Sequence, residues 1–240
     1  MSNFNNKTAS FASTATRTST YDSSLRAYMV KVYNFMGMAL GISGTVAFLT
    51  ASSPALMSLI FGTPLAWLVM LAPLGFVIFF TYKLQSISAE KAKNYLWIYS
   101  GLMGLSLSTI LVIYTGTSVA RVFFITASTF GAMSLYGYTT KKDLTGLGSF
   151  LIMGLIGLII ASLVNLFLQS SALEFALSVI GVFIFIGLTA YDTQRIKQTY
   201  YHFAGNNEAT AKMAVLGALS LYMDFINLFL MMLRFFGDRK

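Results

Sequence analysis

Residues 147–168 read LGSFLIMGLIGLIIASLVNLFL, a run with no charged side chain. An α-helix rises 1.5 Å per residue, so about 20 apolar residues cross a hydrocarbon core some 30 Å thick. This run is long enough to do so. Six more largely apolar stretches qualify beside it, at approximately 29–50, 65–82, 95–114, 118–138, 173–191 and 212–233. The chain as a whole is 56% hydrophobic and 10% charged, whereas a soluble domain averages about 25% charged residues. The period-2 alternation of a membrane β-barrel is absent. The expected fold is therefore an all-α integral membrane protein, a seven-transmembrane-helix bundle over residues 25–236 with no separate soluble domain. Pro64 suits the opening turn of the second helix and Pro73 falls inside it, where it removes one backbone hydrogen bond.

Residues 1–24 hold fourteen Ser, Thr or Asn and almost no apolar side chains. Such a segment buries too little to offset the entropy of ordering, and reads as a disordered polar tail. Residues 237–240 form a short basic tail. Net charge is +8, but the basic residues are too scattered for a nucleic-acid stripe. They orient the bundle instead. Lys7, Arg17, Arg26, Lys31, Lys83, Lys91, Lys93, Lys141, Lys142, Arg195, Lys197 and Lys212 all fall at one end if seven segments alternate, leaving Arg121, Arg234, Arg239 and Lys240 at the other. That asymmetry puts the amino terminus in the cytoplasm. The seventh segment is long enough to cross fully, although a re-entrant path would bring the basic tail back to the cytoplasm.

With no cysteine and one histidine, His202, thiolate chemistry and clustered zinc sites are excluded. No phosphate-binding glycine loop or dinucleotide fingerprint occurs. No cofactor is expected, and the chain does not read as an enzyme. The glycine pairs Gly37/Gly41, Gly101/Gly104 and Gly154/Gly157 make flat faces suited to close helix packing.

Two of the eight acidic residues stand apart. Asp192 and Asp224 lie inside hydrophobic segments, whereas the other six fall in tails, connections or segment ends. A charge at the centre of a bilayer costs about 3 kcal/mol on insertion scales, so such residues face the bundle interior and mark ion or proton paths. Asp192 has a simple alternative: Arg195, one turn on, offers a local ion pair at an interfacial helix end. Asp224 has none. Lys212 is twelve residues away, about 18 Å of helix, which places Asp224 near mid-bilayer. Asn227 shares its face at i+3 and is an auxiliary candidate. If the chain turns near Gly205, the two aspartates differ in depth by six residues, or about 9 Å, unless tilt or an asymmetric connection absorbs the offset. Two carboxylates brought together would not readily ionise at once and would titrate as a pair. Calcium takes six to eight oxygens. The pair supplies about four, which suits transient coordination of a passing ion.

The strings Ala190-Tyr-Asp192-Thr-Gln-Arg-Ile-Lys and Leu221-Tyr-Met-Asp224-Phe-Ile-Asn-Leu-Phe, with Phe124-Ile-Thr-Ala-Ser-Thr-Phe and Tyr136-Gly-Tyr-Thr-Thr-Lys-Lys-Asp143-Leu, resemble the bacterial branch of the Bax inhibitor-1 (transmembrane BAX inhibitor motif) family. The resemblance runs from the first helix to the seventh. It implies a bundle built round a central helix and a pH-sensitive calcium leak channel, or slow calcium/proton exchanger, in a bacterial inner membrane. It also implies that Asp192 and Asp224 form the hydrogen-bonded pair that opens and closes the pore. The family's second-helix arginine has no counterpart here, and Lys83 is the nearest stand-in, without arginine's bidentate fork. Calcium ions, protons and the lipid bilayer are the implied partners. A regulatory protein acting through contact with a membrane protease or cell-death partner is the alternative. An intramembrane aspartic hydrolase fits less well, because Thr193 and Phe225, not glycine, follow the aspartates.

Overall fold

The computed structural model describes residues 3–240, with side chains from Ser23 onward and without that of Gln85. The tail expected over residues 1–24 lies, but for Ser23 and Ser24, outside the residues with described side chains. Eight α-helices follow in order among the described residues: α1 (Asn3–Ala51), α2 (Pro54–Phe61), α3 (Leu65–Lys83), α4 (Ala89–Ile113), α5 (Gly116–Thr139), α6 (Thr145–Leu168), α7 (Ser171–Phe203) and α8 (Asn207–Phe236). All but α2 are long and apolar enough to cross a membrane, α1 through its part Ser23–Ala51. Each expected segment maps onto one of these seven. The short α2 has no counterpart in the sequence reading. It sits between α1 and α3, with Pro54 in its first turn and the Ser53 hydroxyl accepting from the Leu56 amide.

Helix starts follow the capping chemistry of the connections. Ser88, Thr115, Ser170 and Asn206 each accept a backbone amide from the first turn of α4, α5, α7 and α8, which satisfies donors that hydrocarbon would leave bare. Before α6, Asp143 takes both the amide and the hydroxyl of Thr145. Those hydrogen bonds hold its carboxyl below the usual range. Gly205 turns α7 into α8 at φ +109°, a left-handed conformation that glycine adopts without strain.

Helix α8 is the central one. It packs against α1, α4, α5 and α7, while α3 and α6 lie outside on α4 and α7. Two-thirds of the most apolar window of α8 is buried, against about a tenth in α3 and α6. The most hydrophobic runs thus face lipid, and the segment that carries Asp224 fills the interior. Helix α8 is continuous from Asn207 to Phe236, which favours the full crossing over the re-entrant path. Beyond it the chain returns to the α4–α5 turn: Thr115 donates to the Asp238 carbonyl and Lys240 to that of Ile113. Arg121 pairs with Asp238 at 3.0 Å and Arg239 with Glu174 at 3.2 Å. Ion pairing therefore offsets part of the basic charge at this end.

Pro73 lies within α3 as expected, and Pro64 sits one position earlier than expected, at the cap. A proline frees the carbonyl four residues before it, here that of Val69. The Ser106 hydroxyl of α4 donates to that oxygen, so the gap in one helix becomes a bond between two. The glycine pairs correct the sequence reading. Gly37, Gly41, Gly101 and Gly157 have open space where a side chain would begin, and Gly154 only grazes Ile184. Gly104 alone of the six meets a neighbouring backbone, with the Ser43 carbonyl 2.7 Å from where its Cβ would be. The other close approaches come from glycines outside those pairs, above all Gly137 on α5 against the Ala190 carbonyl of α7. Spacing finds flat faces, but only packing decides which of them meet a neighbouring helix.

Ser106→Ala is expected to destabilise the bundle by about 1 kcal/mol. The loss should shrink in a Pro73→Ala background, where the restored amide satisfies Val69; a double-mutant cycle of unfolding in detergent measures this. Gly137→Val should be destabilising by about 3 kcal/mol, and Gly41→Val should stay within about 0.5 kcal/mol, both read from the same unfolding curves.

Candidate ion and proton site

Helices α7 and α8 form a close antiparallel pair. Its register is set by three contacts: Gly181 against Met231, Gly217 against Ile196, and Arg195 against Ser220. That register places Asp192 and Asp224 level to within one helical turn, about 5 Å. The connection is symmetric about Gly205, with Phe203 and Asn207 each two residues away. The smaller offset therefore comes from displacement of one helix along the other, as these contacts record. Helix α7 also continues for eleven residues beyond Asp192, so this aspartate lies within a long helix and not at its end. Both aspartates are buried, at 7% and 6% exposure.

Their environments differ. The Arg195 guanidinium donates from Nη2 to Asp192 Oδ2 at 3.2 Å and to the Ser220 hydroxyl of α8 at 3.2 Å. The same group lies over the Tyr191 ring. Arg195 therefore joins α7 to α8 as well as neutralising its neighbour, a role the i, i+3 spacing alone did not suggest. Asp224, one turn beyond Ser220 on α8, has Oδ2 sealed from solvent and without a hydrogen bond. No hydrogen bond joins the two carboxylates, and among the described residues no group of three or more His, Cys, Asp or Glu could hold a metal ion. Asn227 makes no hydrogen bond to Asp224; it is half-buried and lines a cleft on the side of α8. Lys83 is exposed at the end of α3, with no ion pair to either aspartate. The cation that reaches the site is Arg195, and the stand-in role expected of Lys83 has no contact behind it.

Both aspartate-bearing segments are tied to neighbouring helices. Gln194, on α7, donates from Nε2 to the Lys142 carbonyl and accepts the Leu144 amide, both at 2.8 Å. Lys197 donates to the Tyr138 carbonyl at 2.9 Å. With the backbone contact of Gly137 at Ala190, these bonds fasten α7 to α5 and its following loop on either side of Asp192. On α8, the Tyr222 hydroxyl lies 2.7 Å from the Ser43 hydroxyl of α1, which itself donates to the Ser100 carbonyl of α4 at 2.7 Å. The Tyr222 ring meets Tyr99 edge-on, and Phe225 packs edge-on against Phe123 and Phe130. Asp224 thus sits on a segment braced by hydrogen bonds on one side and aromatic rings on the other. None of these braces was singled out from the sequence. Gln194 and Tyr222 carried a signal, since each is a polar group two residues from a membrane aspartate.

Residues 25–240 match the family described as inhibitor of apoptosis-promoting Bax1. The chain belongs to this Bax inhibitor-1 family. Its relatives cover it almost end to end. An uncharacterized protein of Rickettsia prowazekii is 52% identical over 95% of this chain and 96% of its own. Inner membrane protein YbhL of Escherichia coli K12 is 47% identical over 90% and 93%. An uncharacterized membrane protein of Streptococcus pyogenes serotype M1 is 38% identical over 90% and 94%. Seven spanning helices and an inner-membrane relative together make this Bax inhibitor-1 family member a multi-pass protein of a bacterial inner membrane.

Gln194→Ala should release the α5–α6 loop. Amide hydrogen exchange at Leu144 is expected to quicken about tenfold, the equivalent of one lost buried hydrogen bond. Exchange in the α4–α5 turn should not change.

Proposed function

We propose that this protein is a pH-sensitive calcium leak channel, or a slow calcium/proton exchanger, with Asp192 and Asp224 as its gate and no enzymatic step. The observation that carries this reading is the bare, buried Oδ2 of Asp224, level with an aspartate held by a guanidinium. A proton at the pair keeps it neutral and closed to cations. Its loss leaves two negative charges and one guanidinium in a low-dielectric interior, so that Asp192 keeps its partner and Asp224 is uncompensated. A divalent cation neutralises both at once.

Arg195 competes in this scheme. While its guanidinium lies on Asp192, it occupies the charge that calcium would need. The carboxylates offer four oxygens and Ser220 a fifth, short of the six to eight that calcium prefers, so water must complete the shell. Such incomplete coordination suits an ion in passage. Membership of the Bax inhibitor-1 family supports the same reading through the resemblance at both aspartate motifs.

In proteoliposomes loaded with a calcium dye, flux should fall as pH is lowered. Asp192→Asn and Asp224→Asn should each cut it at least tenfold and flatten its pH response. Arg195→Gln should instead raise the leak several-fold at neutral pH. Unchanged flux and pH response in both aspartate variants would remove the gate and leave regulation through a membrane-protein partner as the reading.

A further inference from the structure

A cleft of about 1200 Å³ runs along the bundle, floored by α8 and walled by α3 and α4 on one side and by α6 and α7 on the other. Because α3 packs on α4 and α6 on α7, without packing against each other, the cleft stays open towards lipid. Its volume exceeds the roughly 300–1000 Å³ of an ordinary small-molecule pocket. The floor runs from Arg234 to Met223, eleven residues or about 16 Å of helix. That depth is one leaflet of a hydrocarbon core about 30 Å thick. A partner's spanning helix would need the whole thickness, and the cleft serves half of it.

The lining changes along this depth. Val77, Leu158, Phe185 and Met223 line its inner part, and the polar Gln169 and Arg234 stand at its mouth. The mouth lies at the end opposite the Lys-rich connections. Arg239 borders it too, but is matched by Glu174, and Arg121 nearby is matched by Asp238. Arg234 is exposed and has no ion pair or hydrogen bond among the described residues. Arg234 is therefore the cation of the lining without an ion pair, over an apolar trough one leaflet deep. Lys240, at the same end, is held on the Leu111 carbonyl.

We propose that this cleft is a binding site for a phospholipid with a net-negative headgroup, drawn from the leaflet at that end. Its acyl chains lie along α8 between the two helical hairpins, and its phosphate rests on Arg234. The trough supplies the hydrophobic part of the recognition and Arg234 the headgroup preference. Neither depends on the two aspartates or on ion flux.

Native mass spectrometry of the full chain, released from nanodiscs of mixed phosphatidylglycerol and phosphatidylcholine, counts the lipids retained. One phosphatidylglycerol is expected to remain, preferred about fivefold, the effect of one cation at a membrane surface. Arg234→Gln should abolish the preference and Arg234→Lys should keep it. Ser162→Phe, which narrows the trough, should lower retention of both lipids while thermal unfolding stays unchanged. Lipid held without headgroup preference and indifferent to Arg234→Gln is annular only and overturns the proposal. A lipid-free dimer does so too, because a second copy then covers the cleft.

Discussion

Two carboxylates persist inside this bundle because α7 and α8 are pressed together in one antiparallel register. Gly181 and Gly217 let Met231 and Ile196 approach closely, and Arg195 reaches across from α7 to Ser220. Shift that register by one turn and Asp224 would face a wall of hydrocarbon with no charged neighbour, at a cost of several kcal/mol. The rest of the bundle maintains the alignment. Helices α1, α4 and α5 close round α8, and α5 with its following loop grips α7 on either side of Asp192.

A lipid solvent inverts the usual relation between hydrophobicity and burial. The apolar runs of α3 and α6 are the clearest evidence of membrane insertion, yet they lie at the periphery. The interior goes to α8, where Ser220 and Tyr222 find partners on α7 and α1. The same solvent makes backbone groups conspicuous. The Val69 carbonyl freed by Pro73 cannot turn to water, so Ser106 takes it, and a local defect in α3 becomes its tie to α4. The outer pair of hairpins leaves the cleft over α8 open, and there the unpaired Arg234 contrasts with the ion-paired Arg121 and Arg239.

Much of this was legible in the residues. Seven runs of sufficient length, the Lys/Arg asymmetry and the turn near Gly205 each follow from local chemistry. The two membrane aspartates were visible as exceptions to composition. Other features were not. The Gly37/Gly41 spacing is as good a packing motif as any in the chain, but nothing comes near it, while isolated Gly137 takes a backbone carbonyl at contact. Lys83 was the natural cation to seek where the family's arginine is missing, but α3 lies outside α4 and does not deliver it.

The sequence by itself determined that the chain inserts in a membrane, that seven segments are long enough to cross it, which end carries the positive charge if they alternate, and which two carboxylates are out of place. These are properties of single segments, set by transfer free energy and helix geometry, and they need no knowledge of neighbours. Only the tertiary structure decided that Arg195 bridges two helices, that Asp224 is left without a partner, that Gln194 and Tyr222 brace the aspartate-bearing segments, and that one cleft reaches from Arg234 to mid-membrane. Each depends on how helices distant in sequence are rotated and displaced against one another. Close packing of side chains settles that, through contacts that no periodicity within one helix encodes.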